Sequence, residues 1–213
     1  MVSRKYWRRR SQMFYYEYVR YLVRAFAADA ESLIDVGSGN AEYIEDFYWI
    51  HTRHALDRKR PYSSAAVAGI EAEFLTFEPG RTYDFALCLQ VLEHVKRAKP
   101  FAEKLFSVAD RVMISVPYQW PPGLEKGHVH DPVDLDKLRH WTGRDPDYSV
   151  VVSEPLTDSP GRSRLIAYYH PAGSEFSLRD MGRNMRPERP DRNPNLPNLL
   201  SRLAVVWRRG NRA

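Results

Sequence analysis

The sequence contains a single cysteine, Cys88, and no long apolar run. One thiol excludes an internal disulfide framework and a zinc site built from several cysteines, and it predicts a reducing, cytoplasmic setting. A membrane-spanning helix needs about 18 or more successive apolar residues, so we expect none. The N-terminus is charged without an apolar core behind it, so we expect no secretory signal.

The net charge of +5 is unevenly distributed over the 213 residues. Residues 1–24 carry seven basic side chains and one acidic, residues 171–213 carry nine basic and four acidic, and residues 25–170 carry a net −6. The apolar content of 43% is typical of a globular chain. The basic ends could contact a membrane surface or nucleic acid, or they could simply keep the protein in solution.

Strand-like and helix-like segments alternate along the chain, which predicts an α/β fold: one Rossmann-like, doubly wound and mostly parallel sheet. Segments 148–152 and 164–169 are too close together for a helical crossover, so we expect a C-terminal antiparallel hairpin. The pattern predicts helices over 6–28, 41–49, 62–68 and 100–108, and strands over 32–36, 54–57, 74–77, 84–89 and 111–116.

Three units are expected: an N-terminal helix within 1–29, a main domain over 30–170, and a basic, Pro/Arg-rich tail over 171–213. The tail is predicted to be poorly ordered to residue 197, with a short helix over 199–209. The leading helix could pack on its own sheet or form the surface of a homodimer. Residues 117–143 form a long segment without clear periodicity, which is typical of a functional loop.

A glycine turn, Gly37-Ser38-Gly39, follows the first predicted strand. Ligands of parallel sheets bind at the carboxyl ends of strands, where glycine lets the backbone approach them. A dinucleotide fingerprint needs a small residue at position 42, and Glu42 would repel a pyrophosphate. No Gly-Lys-Ser/Thr follows, so a Walker loop is also absent. A nucleoside ligand without pyrophosphate remains, and Asp57 is suited to bind its ribose.

The segments Asp35–Gly39, Asp57 and Tyr83–Val95 resemble the motifs of class I S-adenosylmethionine-dependent methyltransferases. The resemblance covers about residues 30–170 and implies S-adenosylmethionine as cofactor. Ala41 and Glu73 depart from the commonest family residues. By position, the resemblance implies a set of cofactor-binding residues: Asp35, Gly37, Ser38 and Gly39 at the methionine part, Asp57 at the ribose, Glu73 and Phe74 at the adenine, and Leu89 and Gln90 at the sulfonium.

Transfer of a methyl group to a hydroxyl needs a group that removes the hydroxyl proton. The candidate catalytic residues are His94, His128, His130 and Asp131, since histidine titrates near neutral pH. A divalent ion, Mg²⁺ for example, is a further possibility. Its ligands would come from Glu93, His94 and Asp131, or from the loop histidines His128 and His130 together with Asp131.

Three aromatic residues, Tyr118, Trp120 and Trp141, flank the histidine loop and are candidate substrate-binding residues, since aromatic faces stack on sugar or phenol rings. The loop is loosely similar to small bacterial sugar and glycolipid O-methyltransferases of polymethylated-polysaccharide pathways. We therefore expect a small carbohydrate acceptor and consider nucleic acid unfavoured. The alternatives are methylation of another natural product or of nucleic acid, or a cofactor-fold protein whose basic ends bind membrane or RNA.

Overall fold

A seven-stranded mixed sheet forms the centre of the molecule, in the order β3-β2-β1-β4-β5-β7-β6. The computed structural model describes residues 13–185. The strands are β1 (Ser32–Val36), β2 (Thr52–Asp57), β3 (Ala68–Glu71), β4 (Tyr83–Leu89), β5 (Ala109–Pro117), β6 (Tyr148–Ser153) and β7 (Ser163–Tyr169).

The pairing of the strands confirms the predicted fold class. Strands β3, β2, β1, β4 and β5 pair in parallel, whereas β7 is antiparallel to both β5 and β6. Strand order reverses between β1 and β4, which opens a crevice at their carboxyl ends.

Helices cover both faces of the sheet and bury two apolar layers. On one face α1 (Phe14–Phe26) buries Tyr15, Val19, Val23 and Phe26 against the sheet, and α4 (Leu178–Asn184) contacts α1. On the other face lie α2 (Ala98–Val108) and α3 (Leu135–Thr142). The apolar stripe of α1 therefore packs on its own sheet, the first of the two arrangements considered for the leading helix.

The connection from β1 to β2 contains a 3₁₀-helix over Glu42–Asp46 rather than the predicted helix over 41–49. Tertiary contacts override local propensity here. The Tyr43 hydroxyl donates to Asp35 Oδ2 at 2.6 Å, the Trp49 indole N–H donates to the Ala27 carbonyl at 2.9 Å, and Phe47 is fully buried.

The predicted helix over 62–68 is wrong, because the Ser64 hydroxyl accepts hydrogen bonds from the backbone N–H groups of Ala66 and Val67. Such side-chain bonds compete with a helix. The predicted strand over 74–77 is also wrong, since Phe74–Thr76 forms a 3₁₀-helix and the strand beside β2 is Ala68–Glu71. Glycine is a weak strand former, so Gly69 weakens the strand signal of this segment in the sequence.

Two helices lie in segments that the sequence predicted to be irregular. Helix α3 begins after Asp134, whose side chain accepts from Lys137 N–H at 2.9 Å, and ends at Gly143 with φ +70°. Helix α4 falls within the predicted tail and bonds to α1 through Asn184 Nδ2, which donates to the Ala25 carbonyl. Residues 1–12 and the predicted helix over 199–209 lie outside the described residues.

None of the helices described between residues 13 and 185 is long and apolar enough to cross a membrane.

Candidate functional site

A cavity of about 550 Å³ lies at the carboxyl edge of the sheet, beside the point where strand order reverses. Its walls come from the segments that follow β1, β2, β3 and β4. They include five of the nine predicted cofactor residues, namely Gly37, Asp57, Glu73, Phe74 and Gln90.

The glycine turn is held between the end of β2 and the segment after β4. The N–H groups of Gly37 and Ser38 both donate to the Leu56 carbonyl, at 2.8 and 3.1 Å. Gly37 has φ +79°, and a Cβ there would lie 2.6 Å from Val91 Cγ2. Only glycine fits this position, so bare backbone forms the cavity wall.

The carboxylate of Asp57 is oriented by three backbone donors. Its Oδ2 accepts from Gly39 N–H at 3.1 Å, and its Oδ1 accepts from Lys59 and Arg60 N–H at 2.9 and 3.1 Å. A carboxylate has about four lone-pair positions, so capacity remains toward the cavity. The arrangement suits a ligand with two adjacent hydroxyl groups.

Asp35 lies behind the cavity wall rather than on it. Its side chain is buried and accepts the Tyr43 hydroxyl through Oδ2, while Oδ1 has no hydrogen-bond partner in the protein. Burial raises the pKa of the Asp35 carboxyl to about 7, opposed by the Tyr43 hydrogen bond and assisted by the charge of Asp57. A nearby ammonium group would favour its ionised form.

The other predicted cofactor residues differ from one another in how they are placed relative to the cavity. Ser38 and Leu89 are buried, and Gly39 contacts the site through its hydrogen bond to Asp57. Gln90 has φ +59°, an unusual backbone for a residue with a side chain, and its Nε2 donates to Ser115 Oγ at 3.3 Å. Backbone of this kind often occurs at functional sites.

Sequence reasoning missed several cavity-lining residues. Arg58, Lys96 and Arg97 bring positive charge to the walls, and Val91 and Phe101 bring apolar surface. Phe101 packs against Phe74 with 4.6 Å between ring centroids. Each basic residue lies within two positions of the end of a recognised motif, so the sequence does contain a signal for it.

The histidine loop lies along the 3₁₀-helix Leu92–His94 that follows β4. Three hydrogen bonds join the two segments. Val129 N–H donates to the Glu93 carbonyl at 2.9 Å, a His94 ring nitrogen donates to the Gly127 carbonyl at 3.0 Å, and His130 Nε2 donates to the Val95 carbonyl at 2.9 Å. The predicted catalytic residues are therefore brought together, across about 35 residues of sequence.

His128 and Asp131 form a buried pair. The separation of His128 Nδ1 and Asp131 Oδ2 is 2.6 Å, and the two side chains are 4% and 2% exposed. Trp120 stacks on His128, and the His94 ring lies edge-on to it at 4.7 Å. Of these residues His94 lines the cavity. One ligand atom from each of Glu93, His94 and His128 lies within 4.8 Å of the others, a grouping that could hold a metal ion.

His130 and two of the predicted substrate-binding aromatics have supporting positions. His130 is bonded to Val95 and lies edge-on to Trp141 at 5.0 Å. Trp141 is buried, and Trp120 is buried with its indole N–H on the Ser163 carbonyl. Among the described residues that line the cavity, none of Tyr118, Trp120 and Trp141 occurs. Trp120 contacts His128 and Trp141 contacts His130, so these two rings help to hold the histidine loop.

No protein-family model matches the chain, and no curated protein matches it in sequence. Solved structures match it in three dimensions. The N-methyltransferase NodS from Bradyrhizobium japonicum WM9, in complex with S-adenosylhomocysteine, superposes with a TM-score of 0.61 at 10% identity, covering 76% of this chain and 91% of NodS.

Two further solved structures superpose on the chain with similar TM-scores and similarly low identities. The 1,6-didemethyltoxoflavin-N1-methyltransferase of Burkholderia thailandensis has a TM-score of 0.59 at 17% identity, covering 76% of this chain and 80% of its own. The magnesium protoporphyrin IX methyltransferase of Synechocystis PCC 6803 has a TM-score of 0.52 at 16% identity, covering 72% and 82%. Identities this low establish a shared fold, so the reaction is argued from the chain's own residues.

Proposed function

We propose that this chain, which has the class I methyltransferase fold, transfers a methyl group from S-adenosylmethionine to a hydroxyl of a small acceptor. The acceptor class is a sugar or oligosaccharide. The single observation that carries the proposal is the cavity at the strand-order reversal, where the bare backbone of Gly37 and the oriented carboxylate of Asp57 meet.

The cavity suits the cofactor in size and chemistry. Its volume of about 550 Å³ is within the range for small-molecule sites. Asp57 would accept hydrogen bonds from the two ribose hydroxyls, and Phe74 would lie against the adenine. Asp35, behind the glycine turn, would favour a cationic amino group. When bound, S-adenosylmethionine supplies a methyl group on a positively charged sulfur, which is a good leaving group.

The His128–Asp131 pair supports a hydroxyl acceptor. A hydroxyl is a weak nucleophile and needs a base, whereas a neutral amine does not. Asp131 accepts from His128 Nδ1–H at 2.6 Å, which orients the ring. Nε2 of His128 would then accept the hydroxyl proton.

An amine acceptor is the second candidate, because NodS and the toxoflavin enzyme are N-methyltransferases by name. The buried His–Asp pair favours the hydroxyl. The assignment of the acceptor as a carbohydrate rests only on the resemblance of the loop sequence to sugar O-methyltransferases. Trp120 and Trp141 are buried and add no stacking surface to the cavity.

Isothermal titration calorimetry with S-adenosylhomocysteine tests the cofactor half of the proposal. We expect binding by the wild-type chain and a loss of about tenfold or more in Asp57→Ala, because a charged hydrogen-bond acceptor contributes about 1.5–3 kcal/mol. Glu71→Gln is the matched control, since Glu71 pairs with Asp57 across the neighbouring strand and is exposed. Absence of binding at millimolar ligand would refute the proposal.

Transfer of radiolabelled methyl groups to panels of sugars and amines tests the acceptor half. We expect label on sugar hydroxyls, and a decrease in turnover of about 100-fold or more in Asp131→Asn and His128→Ala with S-adenosylhomocysteine affinity retained. His140→Ala, exposed on α3, is the control. Label on amines alone, with both variants fully active, would replace the hydroxyl by an amine.

A further inference from the structure

We propose that Glu93, His94 and His128 bind a divalent first-row transition-metal ion, with Asp131 as the residue that orients His128. The proposal of metal binding rests on the geometry of these residues. The use of the metal in the reaction rests on the proposed function, and it replaces the role of His128 as a base by that of a metal ligand. The sequence suggested Glu93, His94 and Asp131, or the histidines of the loop, and in the structure the residue that lies with Glu93 and His94 is His128.

The three groups come from two segments that the fold holds in register. One potential ligand atom from each side chain lies within 4.8 Å of the other two. Glu93 and His94 are adjacent in the 3₁₀-helix after β4, and the loop carrying His128 is bonded to Glu93 and His94 through Val129 and Gly127. The ligand set is therefore largely assembled by backbone and ring hydrogen bonds.

Both imidazoles have an oriented tautomer. A ring nitrogen assigned as Nδ1 bonds the Gly127 carbonyl in His94 and the Asp131 carboxylate in His128, at 3.0 and 2.6 Å. A carbonyl and a carboxylate accept hydrogen bonds, so each Nδ1 carries the proton and each Nε2 retains its lone pair. Metal-binding histidines are oriented in this way, by a carbonyl or a carboxylate on the second nitrogen.

The donor set selects the class of metal. Two imidazole nitrogens and one carboxylate suit zinc, manganese or iron, whereas magnesium and calcium prefer oxygen ligands throughout. Mg²⁺, the ion named from the sequence, is thus less suited than these. Three protein ligands leave at least one coordination position open. His94 lines the cavity, so we place the open position toward the bound acceptor.

The ion would activate the acceptor hydroxyl. Coordination makes a hydroxyl more acidic, and its proton passes to solvent water. The oxygen then forms a bond to the methyl carbon while the carbon–sulfur bond breaks, and the electron pair stays on sulfur to give S-adenosylhomocysteine. His128 serves as a ligand in this scheme, because a single Nε2 lone pair cannot bind a metal and accept a proton together.

Equilibrium dialysis of the full chain against Zn²⁺, Mn²⁺ and Mg²⁺, read by elemental analysis, tests the site. We expect one equivalent of Zn²⁺ or Mn²⁺ and weaker binding of Mg²⁺. His94→Ala and His128→Ala should each weaken binding by about 100-fold or more, and Asp131→Asn by about 10- to 100-fold. His140→Ala should bind like the wild type.

Two features keep the result interpretable. Glu93 is fully buried, so its replacement risks unfolding the chain, whereas His94 is exposed and its alanine variant is the preferred test, with circular dichroism as the check of folding. Asp57→Ala should lose S-adenosylhomocysteine and keep the metal, so failure of the proposed cofactor leaves the metal result separate. Binding of neither Zn²⁺ nor Mn²⁺, or equal binding by the wild type, His94→Ala and His128→Ala, would overturn the proposal.

Discussion

At the scale of single residues, Gly37 and Val91 meet in the wall of the cavity. A Cβ added at position 37 would lie 2.6 Å from Val91 Cγ2. The substituted residue would also have to keep a φ of +79°, a conformation that residues with a side chain rarely adopt. Two separate effects are combined here, backbone strain and steric overlap. Gly143, with φ +70° and nothing within 4 Å of its missing Cβ, has the first effect without the second.

We predict that Gly37→Ala destabilises the chain more than Gly143→Ala does. Gly143→Ala should lower the free energy of unfolding by about 1 kcal/mol through strain alone. Gly37→Ala should lower it further and weaken S-adenosylhomocysteine binding. Val91→Ala in the Gly37→Ala background should restore part of the loss. Urea denaturation of the wild type and these three variants measures the differences, and equal effects at both glycines would contradict steric overlap.

Asp35 gives a prediction about pH. Its carboxyl has an ordinary pKa of 3.8, which burial raises to about 7 in the folded chain. Below about pH 4 both states hold the proton. Between pH 4 and 7 the unfolded chain releases the proton while the folded chain keeps it, so the free energy of unfolding falls as pH rises. Above 7 the difference is constant.

We expect Asp35→Asn to lack this part of the pH dependence. Asparagine still accepts the Tyr43 hydroxyl and carries no charge. The variant should gain stability relative to wild type as pH rises from about 4 to 7, by up to about 4 kcal/mol for a shift of this size. Urea denaturation of both proteins across this range measures the gain. A difference independent of pH would show that Asp35 ionises normally.

The same ionisation should govern cofactor affinity. An ionised Asp35 favours a cationic amino group, so S-adenosylhomocysteine should bind more tightly to the wild type as pH rises through 7. Calorimetry at pH 6 and 8 measures this change. Asp35→Asn should bind weakly at both values, and a wild-type affinity that falls with pH would contradict the assignment.

At the scale of elements, helix α1 supports the site from the opposite side of the sheet. The first N–H groups of the helix, at Phe14 and Tyr15, donate to the two carboxylate oxygens of Glu154 at 3.0 and 3.1 Å. The Tyr15 hydroxyl bonds Ser115, which also contacts Gln90. The leading helix is therefore linked to the residue that follows β4 at the cavity.

We predict that Glu154→Ala lowers the free energy of unfolding by about 1.5–3 kcal/mol. It removes an anion that caps a helix N-terminus and that lies 3.8 Å from Arg164, a buried residue. Asp158→Ala is the control, because its long pair with Arg162 lies on the surface and should contribute little to stability. Equal losses in the two variants would remove Glu154 from this role.

The elements that the sequence predicted correctly are those with strong local signals. Continuous apolar runs mark β1 and β4, and the helical period of Phe14–Phe26 marks α1. Helix α3 was missed although Asp134 and Gly143 are good cap residues, because its histidine and aromatic content indicated a binding loop. Strand β3 has only four residues, one of them glycine, and its position depends on pairing with β2.

At the scale of the whole molecule, the positive net charge is not carried by the residues that the structure describes. Residues 13–185 carry 20 basic and 25 acidic side chains, so the positive net charge of the chain comes from residues 1–12 and 186–213. The cavity walls combine the acidic Asp57 and Glu73 with the basic Arg58, Lys96 and Arg97. Contact of the basic ends with a membrane or nucleic acid stays a prediction.

The sequence by itself determined the α/β fold class, the antiparallel hairpin, the glycine turn and the position of Asp57, because each depends on residues close together in the chain. Only the tertiary structure decided which histidine meets Glu93, why Asp35 lies behind the wall, and that Trp120 and Trp141 support the loop. The Glu93–His128 relation spans 35 residues, whereas the contacts of Asp35 with Tyr43 and of the two tryptophans with the loop histidines span 8 to 11. Packing and hydrogen bonding between segments determine them, and no local period records such contacts.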